Sequence, residues 1–360
     1  MDDRLNFAVV GCGRVAYKHF EALELLSRQA RLSAVCDLDE EKARNTGSKY
    51  QVPWYQDYQE MMSRHPEIDV VNVLIPTGYH APVVIDLARY GRHIVVEKPM
   101  ALRVSDCEAM NLACRNNGCN LYVIYQNRYN LPVQAAREAW ERNRFGRQVM
   151  ATVRVRWTRH QHYYEQDNWH GTWALDGGVM SQQASHHLDL LQWFMGAVDF
   201  VQCQSATRLL DLEVEDTGAA LIRFKSGALG VFEATVATRP KNLEGSLSIL
   251  GEKGSVVIGG IAVNELLSWN FEPETPQDAQ IRSNVSQVVS NVYGHGHTNN
   301  LADVIQAVRM GEKPSALVDG EEGEKNIRLL TALYESAACN GERVIPGREM
   351  KLCRLGEMIN

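Results

Sequence analysis

Three features of this chain could do chemistry together: a glycine turn fit to hold a diphosphate, an acid spaced to read a ribose, and a lysine closing a short apolar strand. The turn reads Gly11-Cys12-Gly13-Arg14-Val15-Ala16 and matches G-x-G-x-x-G/A. In that pattern Gly11 permits a tight turn, Gly13 lets a pyrophosphate approach the backbone, and Ala16 allows close packing of helix on strand. Arg14 and Val15 lie inside the turn, where the positive end of the following helix and its unpaired N–H groups stabilise phosphate charge. Asp37 stands about 20 residues beyond the motif, the distance at which a carboxylate accepts hydrogen bonds from the adenosine ribose hydroxyls. The same carboxylate repels a ribose 2′-phosphate, and Leu38-Asp39-Glu40 contains no arginine to accommodate one, so the expected cofactor is NAD rather than NADP.

Lys98 follows the apolar run His93 to Val96. If that run is a parallel strand, Lys98 lies at the carboxyl edge of the sheet, where ligands enter such folds. A lysine partly desolvated beside a cofactor has a lowered pKa and can accept an alcohol proton near neutrality. The plainer reading is a lysine paired with Glu97.

These residues need a scaffold, and the pattern supplies one. Apolar runs at 6–11, 32–37, 70–75, 93–96 and 121–125 alternate with helical stretches, which is the βαβ pattern of a doubly wound parallel Rossmann sheet over residues 1–125. From 126 to 360 the pattern predicts an α+β domain with a large, mostly antiparallel open sheet, its strands near 151–158, 200–206, 218–224, 228–236, 245–251 and 254–258. Helices are predicted over 131–143, 183–195, 299–310 and 320–340. The free face of the second sheet is a candidate for oligomerisation.

The chain has 360 residues, of which 45% are hydrophobic and 22% charged, with a formal charge of −7. That balance fits a globular protein of two domains and argues against nucleic acid as a partner. No apolar run approaches a membrane span. The acidic start lacks the basic and apolar regions of a secretory signal, so a cytoplasmic protein is expected. The eight cysteines contain no C-x-x-C and read as reduced thiols. His160 with His162, and His295 with His297, lack cysteine or clear carboxylate partners, so no metal is expected.

The segment Ile75-Pro76-Thr77-Gly78-Tyr79-His80, followed by Val96-Glu97-Lys98-Pro99, resembles the Gfo/Idh/MocA family of sugar and inositol oxidoreductases. The resemblance extends through Tyr125-Gln126-Asn127-Arg128, the Gly177-Gly178 to His186-His187-Leu188-Asp189 stretch, and Pro314 to Gly323. It implies that Pro76, Thr77, His80, Glu97, Lys98 and Gln126 serve the cofactor, and that Lys98 and His186 are catalytic. The family commonly carries Asp or Asn four residues before that histidine; this chain has Gln182, which can orient a substrate but cannot ionise. Within the family, 168–173 and 292–297 look closest to nucleotide-sugar 3-dehydrogenases acting on UDP-N-acetylglucosamine or its uronic acid. A homodimer or homotetramer is implied by the same resemblance.

For a substrate bearing phosphates the candidate ligands are Arg128 and Arg159, with Arg154 and Arg156 on the same segment. The aromatic stretch 160–173 offers Trp173 for the nicotinamide and Tyr163 or Tyr164 for the sugar. Tyr293 and His297, in a glycine-rich loop before a late helix, suit a sugar or diphosphate. A free-sugar or inositol dehydrogenase, an NAD-dependent redox glycosidase and a non-catalytic NAD-binding sensor are the alternatives.

Overall fold

The computed structural model describes residues 3–287, 294, 296–348 and 350–357, in two compact units. The first unit comprises residues up to Tyr125 together with His297–Glu324, and the second Gln126–Gly296 with Lys325 onward. The first stretch of the first unit ends at Tyr125. Residues 297–324, however, belong to the first unit, although the sequence pattern assigned them to the second domain.

The first unit is built on β1 (Leu5–Val10), β2 (Ala30–Cys36), β3 (Trp54–Tyr55), β4 (Val70–Val73), β5 (His93–Val96) and β6 (Leu121–Val123), all parallel. The central strands are buried on both faces, which is why they read as continuous apolar runs rather than alternating ones. The second unit carries β7 (Gln148–Arg156), β8 (Val198–Ala206), β9 (Thr217–Phe224), β10 (Leu229–Thr235), β11 (Glu244–Gly251), β12 (Gly254–Gly259) and β13 (Glu265–Phe271). A last strand, β14 (Val318–Asp319), pairs antiparallel with β6 and completes a seven-stranded sheet in the first unit, of order β14-β6-β5-β4-β1-β2-β3. The helix Gly296–Met310 explains the late segment's placement. Its Leu301, Val304 and Ile305, spaced to share one face, bury against Phe7, Val70, Val95 and Tyr122 of the sheet.

The second sheet has the order β13-β12-β11-β7-β10-β9-β8 and is antiparallel except where β7 meets β10. Along β9, Gly218, Ala220, Ile222 and Phe224 are buried while Ala219, Leu221 and Arg223 are exposed, so one face is covered and the other open. The helix Ser185–Met195 packs on β7 and β11. The sequence pattern predicted one helix over 183–195; the chain instead forms Val179–Gln182 and then Ser185–Met195. At the junction the Ala184 N–H donates to the Val179 carbonyl five residues back, at 2.9 Å, a widened turn of the kind that interrupts helices at functional positions. Strand β13 and the helix Pro276–Asn284 had no clear sequence signal.

Candidate active site

In the first unit the glycine turn joins β1 to the helix Ala16–Leu25. Gly11 has φ +100°, and a Cβ there would stand 2.5 Å from the Leu74 carbonyl oxygen, so no other residue fits. A Cβ on Gly13 would meet nothing within 4 Å. No protein packing demands glycine at that position, and the space a side chain would fill suits a pyrophosphate. Asp37 is tied to the turn: its carboxylate accepts from the Cys12 N–H at 2.7 Å and the Asp39 N–H at 2.9 Å. Each oxygen retains a lone pair for a ribose. Asp39 caps the next helix by accepting from Glu41 and Lys42 backbone N–H groups.

Pro76 and Thr77 enter a short 3₁₀ turn that leads into the helix His80–Ala88. His80 is buried, with Nε2 2.9 Å from the Ile75 carbonyl and Nδ1 3.1 Å from the Pro99 carbonyl. Its ring therefore braces two loops at the carboxyl edge of the sheet, and burial lowers its pKa. Lys98 is half-buried and donates its backbone N–H to Glu97 Oε2 at 3.1 Å.

Glu97 is the buried centre of a group that sequence reasoning missed. Its Oε1 lies 3.1 Å from His19 Nε2 and 3.5 Å from His297 Nε2. His19 Nδ1 faces the Asn72 side-chain amide at 3.0 Å, and an amide donating there leaves the proton on Nε2, aimed at the carboxylate. The two imidazoles hold the Glu97 carboxyl well below the usual carboxylate range despite its burial. His297 has its pKa lowered, by burial first, with Glu97 opposing. The expected loop setting for His297 is not what forms, because it lies in the first turn of Gly296–Met310; Tyr293 and His295 fall outside the described residues. Among the described residues this is one place where three metal-competent donors converge, within 4.8 Å of one another. The His19–Glu97 hydrogen bond and the charge contact of His297 with the same oxygen account for that approach. The only sequence signal for His19 was its position three residues after Ala16, on the same helical face.

In the second unit, Gly177 and Gly178 precede the two short helices that carry Gln182 and His186. Gln182 donates to Asp176 Oδ1 at 2.6 Å, and the Asp176 carboxylate also accepts the Gly171 N–H at 2.7 Å. An acid therefore does accompany Gln182, from a buried position six residues earlier that carried no sequence signal. His186 is buried to 6% exposure. His187 is fully buried, neither ring nitrogen has a hydrogen-bond partner among the described residues, and burial pushes its pKa down to about 3.

Beneath these helices lies Glu215. Its Oε1 accepts from Tyr334 Oη at 2.8 Å and from the Met180 N–H at 3.0 Å, while Oε2 has no partner among the described residues. Burial pushes this carboxyl up to about 7. Gly178 exists for this acid: a Cβ there would lie 2.2 Å from the Glu215 carboxyl carbon.

The arginines separate clearly. Arg128, expected as a phosphate ligand, is 2% exposed and makes a two-pronged pair with Asp189, both bonds 2.7 Å, while stacking on Trp193. Its fork faces the helix it anchors, which corrects the expectation and explains why Asp189 follows His186 by three. Arg154 and Arg156 both pair with Glu233 and Glu244 on the sheet. Arg159 is half-buried between the rings of Trp157 and Tyr163; among the described residues its guanidinium bonds the carbonyl of its neighbour Thr158 through Nη1, and its Nε has no partner there.

Tyr164 is packed beside Tyr163 and against Gly171, and burial raises its pKa. Trp173 rests edge-on against Tyr334 with its indole N–H buried, and Gln126 is buried too; among the described residues neither that N–H nor Gln126 Oε1 has a hydrogen-bond partner. Such orphaned donors and acceptors are the groups a bound polar ligand satisfies.

Residues 5–125 match the family described as "Oxidoreductase family, NAD-binding Rossmann fold", and residues 133–257 match the "GFO/IDH/MocA C-terminal domain". The chain is 38% identical to the WlbA dehydrogenase from Bordetella pertussis, solved with NADH and UDP-GlcNAcA, with a TM-score of 0.88 over 96% of this chain and 98% of that one. It is 40% identical to the WlbA dehydrogenase from Chromobacterium violaceum, solved with the same ligands, with a TM-score of 0.89 over 97% and 98%. A myo-inositol 2-dehydrogenase from Thermotoga maritima is 24% identical over 340 residues, covering 92% of this chain and 96% of that protein.

Proposed function

The chain belongs to the Gfo/Idh/MocA family of NAD-dependent sugar and polyol dehydrogenases, and from that premise we propose that it oxidises the 3-hydroxyl of a UDP-linked N-acetylated amino sugar to a 3-keto sugar. UDP-N-acetylglucosamine and its uronic acid are the two candidate substrates, and the product serves surface-glycan or lipid A synthesis. When bound, NAD supplies the hydride acceptor. The residues proposed to hold it are Gly11, Gly13, Arg14, Val15, Asp37, Pro76, Thr77, Lys98, Gln126 and Trp173, with His80 bracing the loops behind them.

Oxidation of a secondary alcohol releases a proton from the hydroxyl, which Lys98 and His186 are proposed to handle. Gln182, fixed by Asp176, orients a hydroxyl. Tyr164 is proposed to pack against the sugar.

One observation carries the choice of a nucleotide sugar: of Arg128, Arg154, Arg156 and Arg159, Arg159 is the one with no carboxylate partner among the described residues, and its buried Nε has no hydrogen bond among them. Such a cation suits the charge of a diphosphate, whereas a free polyol has no charge for it to meet. Likeness over nearly the whole chain to two dehydrogenases solved with UDP-GlcNAcA supports the same choice. Likeness to an inositol dehydrogenase supports the second reading, a free-sugar or inositol dehydrogenase.

The test incubates the protein with NAD and either nucleotide sugar, follows NADH absorbance, and looks by mass spectrometry for a product two hydrogens lighter. An α-keto acid is included in parallel as an acceptor, since tightly held NADH would stop the reaction after one turnover. Oxidation of myo-inositol or a free sugar, with neither nucleotide sugar altered, overturns the proposal. A homo-oligomer joined through the open face of the second sheet, where Leu221 is 60% and Leu229 47% exposed, is proposed with it.

A further inference from the structure

We propose that His19, Glu97 and His297 form a buried positioning unit that sets the backbone of Lys98 and links it to the dinucleotide turn, and that Glu97 acts through this unit rather than by touching the cofactor. The lysine's role as proton acceptor is taken from the reading above.

A carboxylate in a protein interior is costly unless its oxygens are met by donors, and Glu97 is 7% exposed. His19 Nε2 hydrogen-bonds Oε1, His297 Nε2 stands 3.5 Å from the same oxygen, and the Lys98 N–H occupies Oε2. Both oxygens thus face protein groups. The Lys98 N–H is the donor that matters for chemistry, because its bond to Oε2 fixes the peptide from which the lysine side chain departs.

The other end of the unit explains the link. His19 sits one turn into the helix Ala16–Leu25, whose N-terminus is the glycine turn, and it is itself oriented by Asn72 in the middle of β4. His297 enters from the first turn of Gly296–Met310, a helix anchored on the sheet by Leu301, Val304 and Ile305. Three rigid elements therefore converge on one carboxylate, and a shift of the turn that holds pyrophosphate is transmitted through His19 to Lys98. Supporting hydrogen bonds of this type behind a functional group alter its performance by about 10–100-fold when removed.

Two measurements on the full chain, neither using a sugar, test the proposal. Acetylation of Lys98 by acetic anhydride, read by peptide mass spectrometry, reports the lysine's environment, and calorimetry reports NAD affinity. The variants are Glu97→Gln, His19→Leu and, as the conservative control, His19→Gln, which keeps an N–H donor for the carboxylate; circular dichroism establishes that each is folded. The expected result is a change of at least about 5-fold in Lys98 acetylation rate in Glu97→Gln and His19→Leu, recovery to within about 2-fold in His19→Gln, and NAD affinity within about 3-fold of wild type in Glu97→Gln. Unchanged acetylation in folded Glu97→Gln overturns the positioning role. A loss of NAD affinity above about 10-fold in the same variant makes Glu97 a cofactor ligand and also overturns it. Should His19→Leu fail to fold, Glu97→Gln and His19→Gln decide the matter. Failure of the substrate reading shows separately, as absence of NADH formation by the wild type.

Discussion

Two carboxylates are equally buried in this protein and are driven in opposite directions. Glu97, just after β5 in the first unit, meets two imidazoles and is held ionised; Glu215, two residues before β9 in the second, meets a tyrosine hydroxyl and a backbone N–H and is pushed up to about 7. Burial raises both, so the partners decide the outcome: two groups able to carry positive charge outweigh desolvation, whereas two neutral donors do not. Each acid also lies behind a side chain proposed to act on substrate, Glu97 behind Lys98 and Glu215 beneath the helices bearing Gln182 and His186.

The comparison breaks most sharply at Glu97. Replacing it by leucine leaves two buried histidines without their acceptor, and a loss of about 3–5 kcal/mol of stability is expected at neutral pH by urea unfolding. Because the folded pKa of Glu97 is depressed, its contribution is present above the unfolded value near 4.5 and is lost as pH falls through the folded one. The cost of Glu97→Leu should therefore shrink in acid. A cost that does not change with pH would show that the carboxylate's charge is not what the histidines hold.

Glu215 has the opposite sign. Its folded pKa lies above the unfolded one, so the stability it contributes is full below about pH 4.5 and is lost as pH rises to about 7. Relative to the wild type, Glu215→Gln should gain up to about 3 kcal/mol between pH 5 and pH 8, measured as the difference between two urea unfolding curves. Parallel wild-type and variant curves across that range would place Glu215 with Glu97 among the ionised acids.

The functional side of the comparison is read by Lys98→Met and His186→Asn, each expected to reduce turnover at least about 100-fold while NAD binding is retained. Near-normal rates in both remove these two groups from the proton transfer. Arg159→Ala sharpens the substrate choice: KM for the nucleotide sugar should rise about 10-fold or more, with kcat changed far less, because a cation that meets the phosphates away from the reacting carbon adds affinity in ground and transition states alike. An unchanged KM would point to a substrate without the diphosphate. The smallest effect is structural. Gly178→Ala drives a methyl into the Glu215 carboxyl and should cost about 1–3 kcal/mol in the wild type, and much less in a Glu215→Ala background, which a double-mutant cycle measures.

Legibility differed between the two acids for a physical reason. Glu97 stands in a contiguous signature that ends a strand, and strand-to-turn motifs are local, so Gly11, Gly13, Asp37 and Lys98 were all identifiable from short stretches of chain. Glu215 is identifiable only through Gly178, 37 positions earlier, whose missing side chain is explained by the acid's position. Arg128 illustrates the opposite failure. Its residue type suggested phosphate binding, and nothing near it in the chain announced that Asp189, 61 positions on, would claim both prongs of the guanidinium.

The sequence by itself determined the parallel sheet, the dinucleotide turn, the preference for NAD and the antiparallel second sheet, because each rests on periodicity or on residues a few positions apart. Only the tertiary structure decided that residues 297–324 complete the first unit, that His19 and His297 converge on Glu97, and that Arg128 is claimed by a carboxylate while Arg159 has none among the described residues. Those outcomes depend on which distant side chains meet once the helices pack, and a buried charge takes its character from whatever partner arrives.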